Sequence, residues 1–411
     1  MAAAEDIDVA IIGAGQAGLA TSHELTALGV EHAVLDRGRI AQTWRDRWES
    51  FCLVTPNWST RLPGHPYDGD DPDGFMLRDE VVAYLERYAG AIEAPVHEGV
   101  DVTAVRPGAD GGLALETSEG AIEAPTVVLA TGAYQRPHRP ATAATLPADL
   151  LQIDVEDYRS PGALPAGPVL VVGSGQSGCQ IAEELHRAGR DVHLACGRAP
   201  WGPRRIGDHD LVWWAHQTGF LDQSVSALPD PSARRAANVL ATGKGGGHDL
   251  HLRTLRAMGV TLLGHFLGAE GRRARFAPDL GESVAWGDER HVQLMGLVRK
   301  LVAERGMAPL DIPPPAPFDA DAPEELDLAG FGAVVLAAGF RPDHASWVDC
   351  AGTFDELGYP IHEDGASVTT DGLHFIGVHF LRKRKSSIFL GIGEDAAVVA
   401  GRVAIRAGRG A

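Results

Sequence analysis

Two stretches, VAIIGAGQAGLATSHEL at Val9–Leu25 and VLVVGSGQSGCQIAEEL at Val169–Leu185, place glycines in the same three slots. Gly13, Gly15 and Gly18 fit the pattern G-x-G-x-x-G, and Gly173, Gly175 and Gly178 repeat it. In such a turn the first glycine permits the tight bend, the second lets the backbone approach a pyrophosphate, and the third lets helix meet strand closely. The N–H groups that open the helix then offer free donors and partial positive charge to phosphate oxygens. Gln16, Gln176 and Ser177 lie inside these loops. Each stretch therefore reads as a pyrophosphate cradle.

The segments beyond the two cradles differ in charge. Asp36 comes eighteen residues after Gly18, with Arg37 next to it. A carboxylate there accepts hydrogen bonds from ribose hydroxyls and repels a 2′-phosphate. After the second cradle the chain reads ACGRAPWGPRR, with Arg198 twenty residues beyond Gly178 and Arg204 and Arg205 close behind. Guanidinium groups at that point suit the 2′-phosphate of NADP(H). The pair implies FAD in the first cradle, NADPH in the second, and hydride passing between them.

The elements that must carry these loops are strand–turn–helix units. The strand DVAIIG, a helix over about 19–28 and the strand EHAVLD form one unit. The second has the same layout and ends in DVHLAC. Residues 100–129 alternate as a small antiparallel sheet with a turn at ADGG, 109–112. TVVLATGAYQRP at Thr126–Pro137 is echoed by FGAVVLAAGFRP at Phe331–Pro342, and the small-residue turns that end these strands place Thr131, Gly132 and Gly339 beside the cofactors. An apolar helix over 394–405 closes the chain. The predicted fold is α/β with two Rossmann-like dinucleotide-binding domains: a discontinuous FAD domain, 1–165 and 326–411, and an inserted NADPH domain, 166–325.

Composition narrows the rest. The chain has 411 residues, a formal charge of −19, and 50 Gly and 26 Pro outside any low-complexity tract. That charge argues against nucleic acid and anionic membrane as partners. No apolar run reaches bilayer length and MAAAEDID lacks a basic leader region, so a cytoplasmic location is expected. Cys52, Cys179, Cys196 and Cys350 are far apart in sequence, which disfavours a dithiol relay, and His and Cys spacing shows no metal site.

The layout resembles the class B flavin-dependent monooxygenases, especially bacterial CzcO-like flavoproteins. IIGAGQAGLA, WRDRWESFCLVTPNWSTRLPG, ATGAYQRP, DYRSPGALPAGPVLVVGSGQSG, LAAGFRP and LRKRKSSIFLGIGEDAA carry the likeness over nearly the whole chain. It implies that NADPH reduces FAD, that oxygen adds at flavin C4a, and that the resulting (hydro)peroxide oxygenates a small molecule. By the same resemblance Asn57 in TPNW matches the asparagine near the flavin edge, its amide toward the distal oxygen or the nicotinamide; an Asx turn after Pro56 is the alternative. Trp44, Trp48 and Trp58 either wall the flavin or pack ordinarily.

Between the domains the family carries Phe-x-Gly-x-x-x-His and then an aromatic. Here Ala148, Leu150 and Asp154 fill those slots and only Tyr158 matches. The departure weighs against Baeyer–Villiger chemistry and leaves amine nitrogen (N-hydroxylation) or sulfur oxygenation ahead. A reductase or oxidase that serves a quinone, small acceptor or protein, and a non-catalytic nucleotide sensor, stay open. The basic run Arg382–Lys385 is either an anion site or a solvated turn, and the glycine loop 242–253 either a lid or a plain surface loop. The resemblance also leaves a homodimer open.

Overall fold

The computed structural model describes residues 7–109 and 111–408. The N-terminal stretch MAAAED and Asp110, in the expected turn at 109–112, lie outside them. The strands that flank that turn, Val102–Pro107 and Leu113–Thr117, pair antiparallel, and Gly120–Ala124 completes the small sheet.

Two parallel sheets organise the chain. The first runs, in spatial order, His362–Glu363, Ala366–Ser367, Leu373–Phe375, Thr126–Leu129, Val9–Ile12, Ala33–Asp36 and Val96–Glu98, parallel from Leu373–Phe375 onward. The second runs Leu151–Asp154, Ala333–Leu336, Val169–Val172, Val192–Ala195 and Thr261–Leu263, parallel throughout. The strands VAII, TVVL, VLVV and AVVL are fully buried. Runs without polar alternation are what strands covered on both faces require.

The boundaries expected at 165/166 and 325/326 do not coincide with the sheets. Leu151–Asp154 and Ala333–Leu336, both expected in the first domain, belong to the second sheet. The reason is pairing: Ala333 is in register with Val169 on one side and with Leu151 on the other. The echo noticed in the sequence thus marks equivalent strands of two sheets, since Thr126 pairs with Val9 as Ala333 pairs with Val169. Where the chain crosses between sheets, Arg136–Pro137 and Phe340–Arg341 zip together antiparallel.

The helices beside the cradles, Gln16–Ala27 and Gln176–Arg187, begin immediately after Gly15 and Gly175. The closing helix spans Phe389–Arg406, longer at its start than the expected 394–405, and its Ala396, Val399 and Val403 share a core with Leu19 and Ala20. Among the described residues no helix is long and apolar enough to cross a membrane.

Candidate dinucleotide sites and the cleft between them

In both cradles the glycines are locked by backbone rather than by choice of side chain. Gly13 has φ +111° and a Cβ on it would lie 2.7 Å from the Ala130 carbonyl oxygen. Gly173 has φ +110° and would meet the Ala337 carbonyl at 2.5 Å. A Cβ on Gly18 or Gly178 would fall 1.9 Å from the carbonyl of Gly13 or Gly173. Gly15 is different, because a Cβ there would meet nothing within 4 Å. Beside Gly175 only the Ala237 methyl comes near, at 3.7 Å.

Neither helix has a side-chain cap or an acidic residue in its first turn. Among the described residues their leading N–H groups therefore have no side-chain acceptor competing with a ligand. Open space above Gly15, unspent donors and a sterically closed turn are the features a dinucleotide phosphate requires, so the residues present fit FAD in the first cradle. The second fits a dinucleotide on the same grounds.

Asp36 lies where the sequence places it. Its Oδ2 accepts from the Ala14 N–H at 2.6 Å and its Oδ1 from the Gly38 N–H at 2.8 Å, which holds the carboxylate against the glycine turn. Arg37 follows it at the strand end. Gln16 accepts from Trp44 Nε1 at 3.0 Å and donates to the Ser387 carbonyl at 3.4 Å. Trp44 stacks on Phe389 with ring centroids 5.7 Å apart. These contacts close the helix Phe389–Arg406 over the first cradle. Trp48 is buried against Phe51 and Tyr158, so it packs the core, whereas Trp58 lines an open groove with Arg61, His209 and Trp213.

Thr131 accepts from Gln135 Nε2 at 2.8 Å, and the same nitrogen lies 2.7 Å from His344 Nε2. Gln135 Oε1 accepts from the Asp343 N–H at 2.6 Å, so one glutamine joins both crossovers. His344 is buried, and desolvation pushes its pKa down to about 4, which keeps the ring neutral. Gly132 and Gly339 adopt φ +84° and +88° with open space above the first and Arg341 Nη1 4.0 Å from a Cβ on the second.

Gln176 is a pin that the sequence did not disclose. Its side-chain amide donates to the Ala241 carbonyl and accepts from the Ala241 N–H, tying a distant loop to the second cradle. Ser177 sits half-buried in the helix's first turn. Arg198 is exposed beyond the strand Val192–Ala195 and, among the described residues, has no hydrogen-bond or ion-pair partner. Arg205 is likewise exposed.

Several expected roles change. Arg204 is only 3% exposed; it donates to Asp210 Oδ2 and to the Val54 carbonyl, and lies 4.5 Å over the Phe75 ring. A guanidinium spent in this way is not available to a 2′-phosphate. Asn57 is also committed, because its Nδ2 donates to the Asp71 carbonyl at 2.9 Å and its Oδ1 accepts from the Met76 N–H at 2.8 Å. It staples its own loop rather than reaching out of it.

The glycine loop 242–253 is a wedge rather than a free lid: a Cβ on Gly243 would lie 2.1 Å from the Leu53 carbonyl, and His248 bonds the buried Glu183 at 2.7 Å. Three of the four cations of the basic run are paired with carboxylates, and among the described residues Arg384 is not. Arg382 pairs with Asp364 and Asp395, Lys383 and Lys385 pair with Asp222 and Glu394, and Arg384 lies over Phe220 and Phe380. Asp154, in the slot of the family histidine, receives Arg139 at 2.9 and 3.0 Å, and Tyr158 is fully buried.

All four cysteines are free and buried, and burial raises their thiols, Cys52 to about 11 and Cys196 to about 12. Protonated, enclosed thiols are poor nucleophiles. Among the described residues no His, Cys, Asp and Glu group is arranged to hold a metal ion.

Residues 10–212 match the family described as pyridine nucleotide-disulphide oxidoreductase. An oxidoreductase of Geobacillus kaustophilus named CzcO-like is 29% identical over 392 residues, 95% of this chain and 96% of its own. The flavin-containing monooxygenase from Stenotrophomonas maltophilia superposes with a TM-score of 0.69 at 18% identity, covering 98% of this chain and 99% of its own. An ornithine N-hydroxylase from Kutzneria sp. 744 gives 0.65 at 18% identity, covering 98% and 100%. The two structures share the fold over both sheets.

Proposed function

We propose that this chain is a class B flavin-dependent monooxygenase that takes FAD and NADPH and transfers one atom of dioxygen to a nitrogen or sulfur of a small molecule, a reading supported by its likeness to a CzcO-like oxidoreductase and to a flavin-containing monooxygenase. The second oxygen atom leaves as water, with NADPH and one proton as the source of electrons and hydrogen. The single observation that carries the reading is the duplicated cradle with opposite charge beyond it: Asp36 held against the first glycine turn, Arg198 unpartnered beyond the second.

Bound FAD would accept hydride and activate dioxygen, and NADPH would supply the hydride. This chain's own residues do the rest. Gly13, Gly15 and Gly18 open the backbone to the FAD pyrophosphate, and Asp36 takes its ribose hydroxyls. Gly173, Gly175 and Gly178 receive the second pyrophosphate, with Gln176 holding the neighbouring loop and Arg198, joined by Arg205, turned to the 2′-phosphate. Trp44, Phe389 and Phe51 pack on one another beside the first cradle, with Trp44 bonded to Gln16, and would exclude water from that side of bound FAD. Gln135, His344 and the crossover ladder tie the two crossover segments together and would hold the two cofactor-binding units in register. We place the division between the two units at these crossovers.

Heteroatom chemistry is preferred on two grounds. The Kutzneria neighbour is an N-hydroxylase, and Asp154 with Arg139 replaces the histidine of the Baeyer–Villiger linker signature. The raised, buried thiols argue against a dithiol relay. The test is stoichiometry: purified protein with FAD, NADPH and panels of amines and thioethers, followed for NADPH consumed, oxygenated product and hydrogen peroxide. One product per NADPH on an amine or sulfide supports the proposal. NADPH consumed with all oxygen released as peroxide, or electrons taken only by added quinone, would replace it with the oxidase or reductase reading.

A further inference from the structure

Arg136 and Arg341 stand directly opposite each other in the crossover ladder. Like charges in that relation destabilise a strand pair. A third cation, Arg235, comes in from the loop that passes the second cradle. Burial together with Arg341, Arg235 and Arg136 holds the intervening His138 below its ordinary pKa, the direction in which crowding by positive charge acts.

Carboxylates outnumber cations in this chain, 55 to 36, yet few reach this spot. Arg136 has Asp343 at 3.6 Å, while Arg235 and Arg341 have no carboxylate partner among the described residues. Arg235 Nη2 donates to the Leu357 carbonyl at 2.6 Å, and its Nε is buried with no acceptor. Among the described residues Arg341 Nη1 donates only to the adjacent Phe340 carbonyl, at 2.9 Å. The neighbouring Arg234 also has a buried Nε without an acceptor, but unlike Arg235 and Arg341 it has a carboxylate partner, Asp355, and it covers the Tyr359 ring at 3.6 Å. A buried guanidinium N–H without an acceptor beside a second unpaired guanidinium is a costly arrangement unless an anion completes it.

The position names the anion. Ala237, two residues beyond Arg235, is the group nearest Gly175, and Arg341 Nη1 lies 4.0 Å from where a Gly339 Cβ would stand. The segment that carries Arg235 thus passes the pyrophosphate turn, and Arg341 stands beside Gly339, two residues beyond the Ala337 carbonyl that closes on Gly173, whereas Arg198 lies beyond the next strand, where the ribose phosphate belongs. We propose that Arg235 and Arg341 form an anion site for the pyrophosphate of the nicotinamide dinucleotide, which they take from the crossover side while the helix N-terminus takes it from the other unit. The inference rests on the second cradle binding NADP(H). Occupancy relieves the repulsion and fixes the crossover ladder on the cradle.

Calorimetric titration of the FAD-loaded protein with NADP⁺ and with NAD⁺ tests it, comparing wild type with R235Q, R341Q, R235K and R341K, and repeating with inorganic pyrophosphate as competitor. The glutamine variants should weaken both nucleotides equally, by about tenfold each, the lysine variants less, and pyrophosphate should compete with NADP⁺ better in wild type than in R341Q. Unchanged affinity in both glutamine variants overturns the site. Loss confined to NADP⁺ overturns the pyrophosphate assignment in favour of the 2′-phosphate, and unchanged nucleotide binding with a raised substrate KM overturns it in favour of a substrate carboxylate. Should a glutamine variant fail to fold, its lysine counterpart and the pyrophosphate competition decide. Wild type that binds neither nucleotide defeats the functional reading itself, whereas wild-type binding with indifferent variants defeats this inference alone.

Discussion

Arg204 donates through Nε and Nη2 to the same oxygen of Asp210, at 2.7 and 2.5 Å, inside a pocket roofed by Phe75. Because Nη1 also bonds the Val54 carbonyl, one guanidinium joins the second unit to a loop of the first. Removing it leaves Asp210 buried and unpaired, which costs about 3–5 kcal/mol. Arg204→Met should lower the urea midpoint accordingly and leave the NADPH to NADH preference untouched. A variant as stable as wild type that has lost its preference for NADPH would return Arg204 to the phosphate.

Arg198 carries the opposite expectation. It is exposed and unpartnered, so Arg198→Gln should leave stability within about 0.5 kcal/mol. Charge-assisted bonds to a phosphate contribute about 1.5–3 kcal/mol, so KM for NADPH should rise roughly 10- to 100-fold while KM for NADH stays put. Steady-state kinetics with both nucleotides decides, and equal losses with both would place the 2′-phosphate elsewhere.

Asn57 tests position against chemistry. Asn57→Ala strands the Met76 N–H and the Asp71 carbonyl, at a cost of about 2 kcal/mol. The expected result is a lower thermal midpoint and faster proteolysis within 71–76. Unchanged stability with abolished product formation would instead put the amide at the reacting centre.

These contrasts show why some residues were legible in the sequence and others were not. The cradles are local: Gly13 to Gly18 closes within one turn, so spacing alone announces it, and Asp36 follows by strand length. Arg204 reads as a phosphate ligand because what buries it is distant: Asp210 is only six residues on, in the adjoining hairpin, but Val54 and Phe75 come from a loop of the first unit that no spacing connects to it. The strand Ala333–Leu336 was recognised as a strand, but its sheet depends on which parallel edge it joins, and that is a long-range choice. The pin from Gln176 to Ala241 and the convergence of Arg235 with Arg341 are long-range in the same way.

Buried histidines set the acid limit of stability. Burial holds His344 and His374 at about 4 against an ordinary 6.5, with Arg406 and Arg402 adding to the effect at His374 and Asp371 opposing it. Both rings are neutral in the fold, while the unfolded chain takes up protons as pH falls through about 6.5. Their contribution is therefore intact above that value and declines toward pH 4, by about 1.4 kcal/mol per unit for each histidine. Urea midpoints measured between pH 7 and 4.5 should fall steadily, and His344→Gln should flatten the slope. A midpoint independent of pH over that range would contradict the burial of these rings.

Gly15 and Gly175 separate the two cofactors without disturbing the fold. A Cβ at Gly15 meets no protein atom within 4 Å, its φ of −86° suits any L-residue, and at Gly175 the nearest group is at ordinary contact distance with φ −71°. A branched side chain at either position therefore enters only the space a pyrophosphate would take. Gly15→Val should purify with its secondary structure and thermal midpoint near those of the apoprotein but without yellow flavin. Gly175→Val should retain flavin and lose anaerobic bleaching by NADPH, with dithionite still able to reduce it. If Gly15→Val keeps its flavin and Gly175→Val loses it, the two cradles hold the opposite cofactors. If both variants keep flavin and bleach with NADPH like wild type, neither glycine turn is where the phosphates lie.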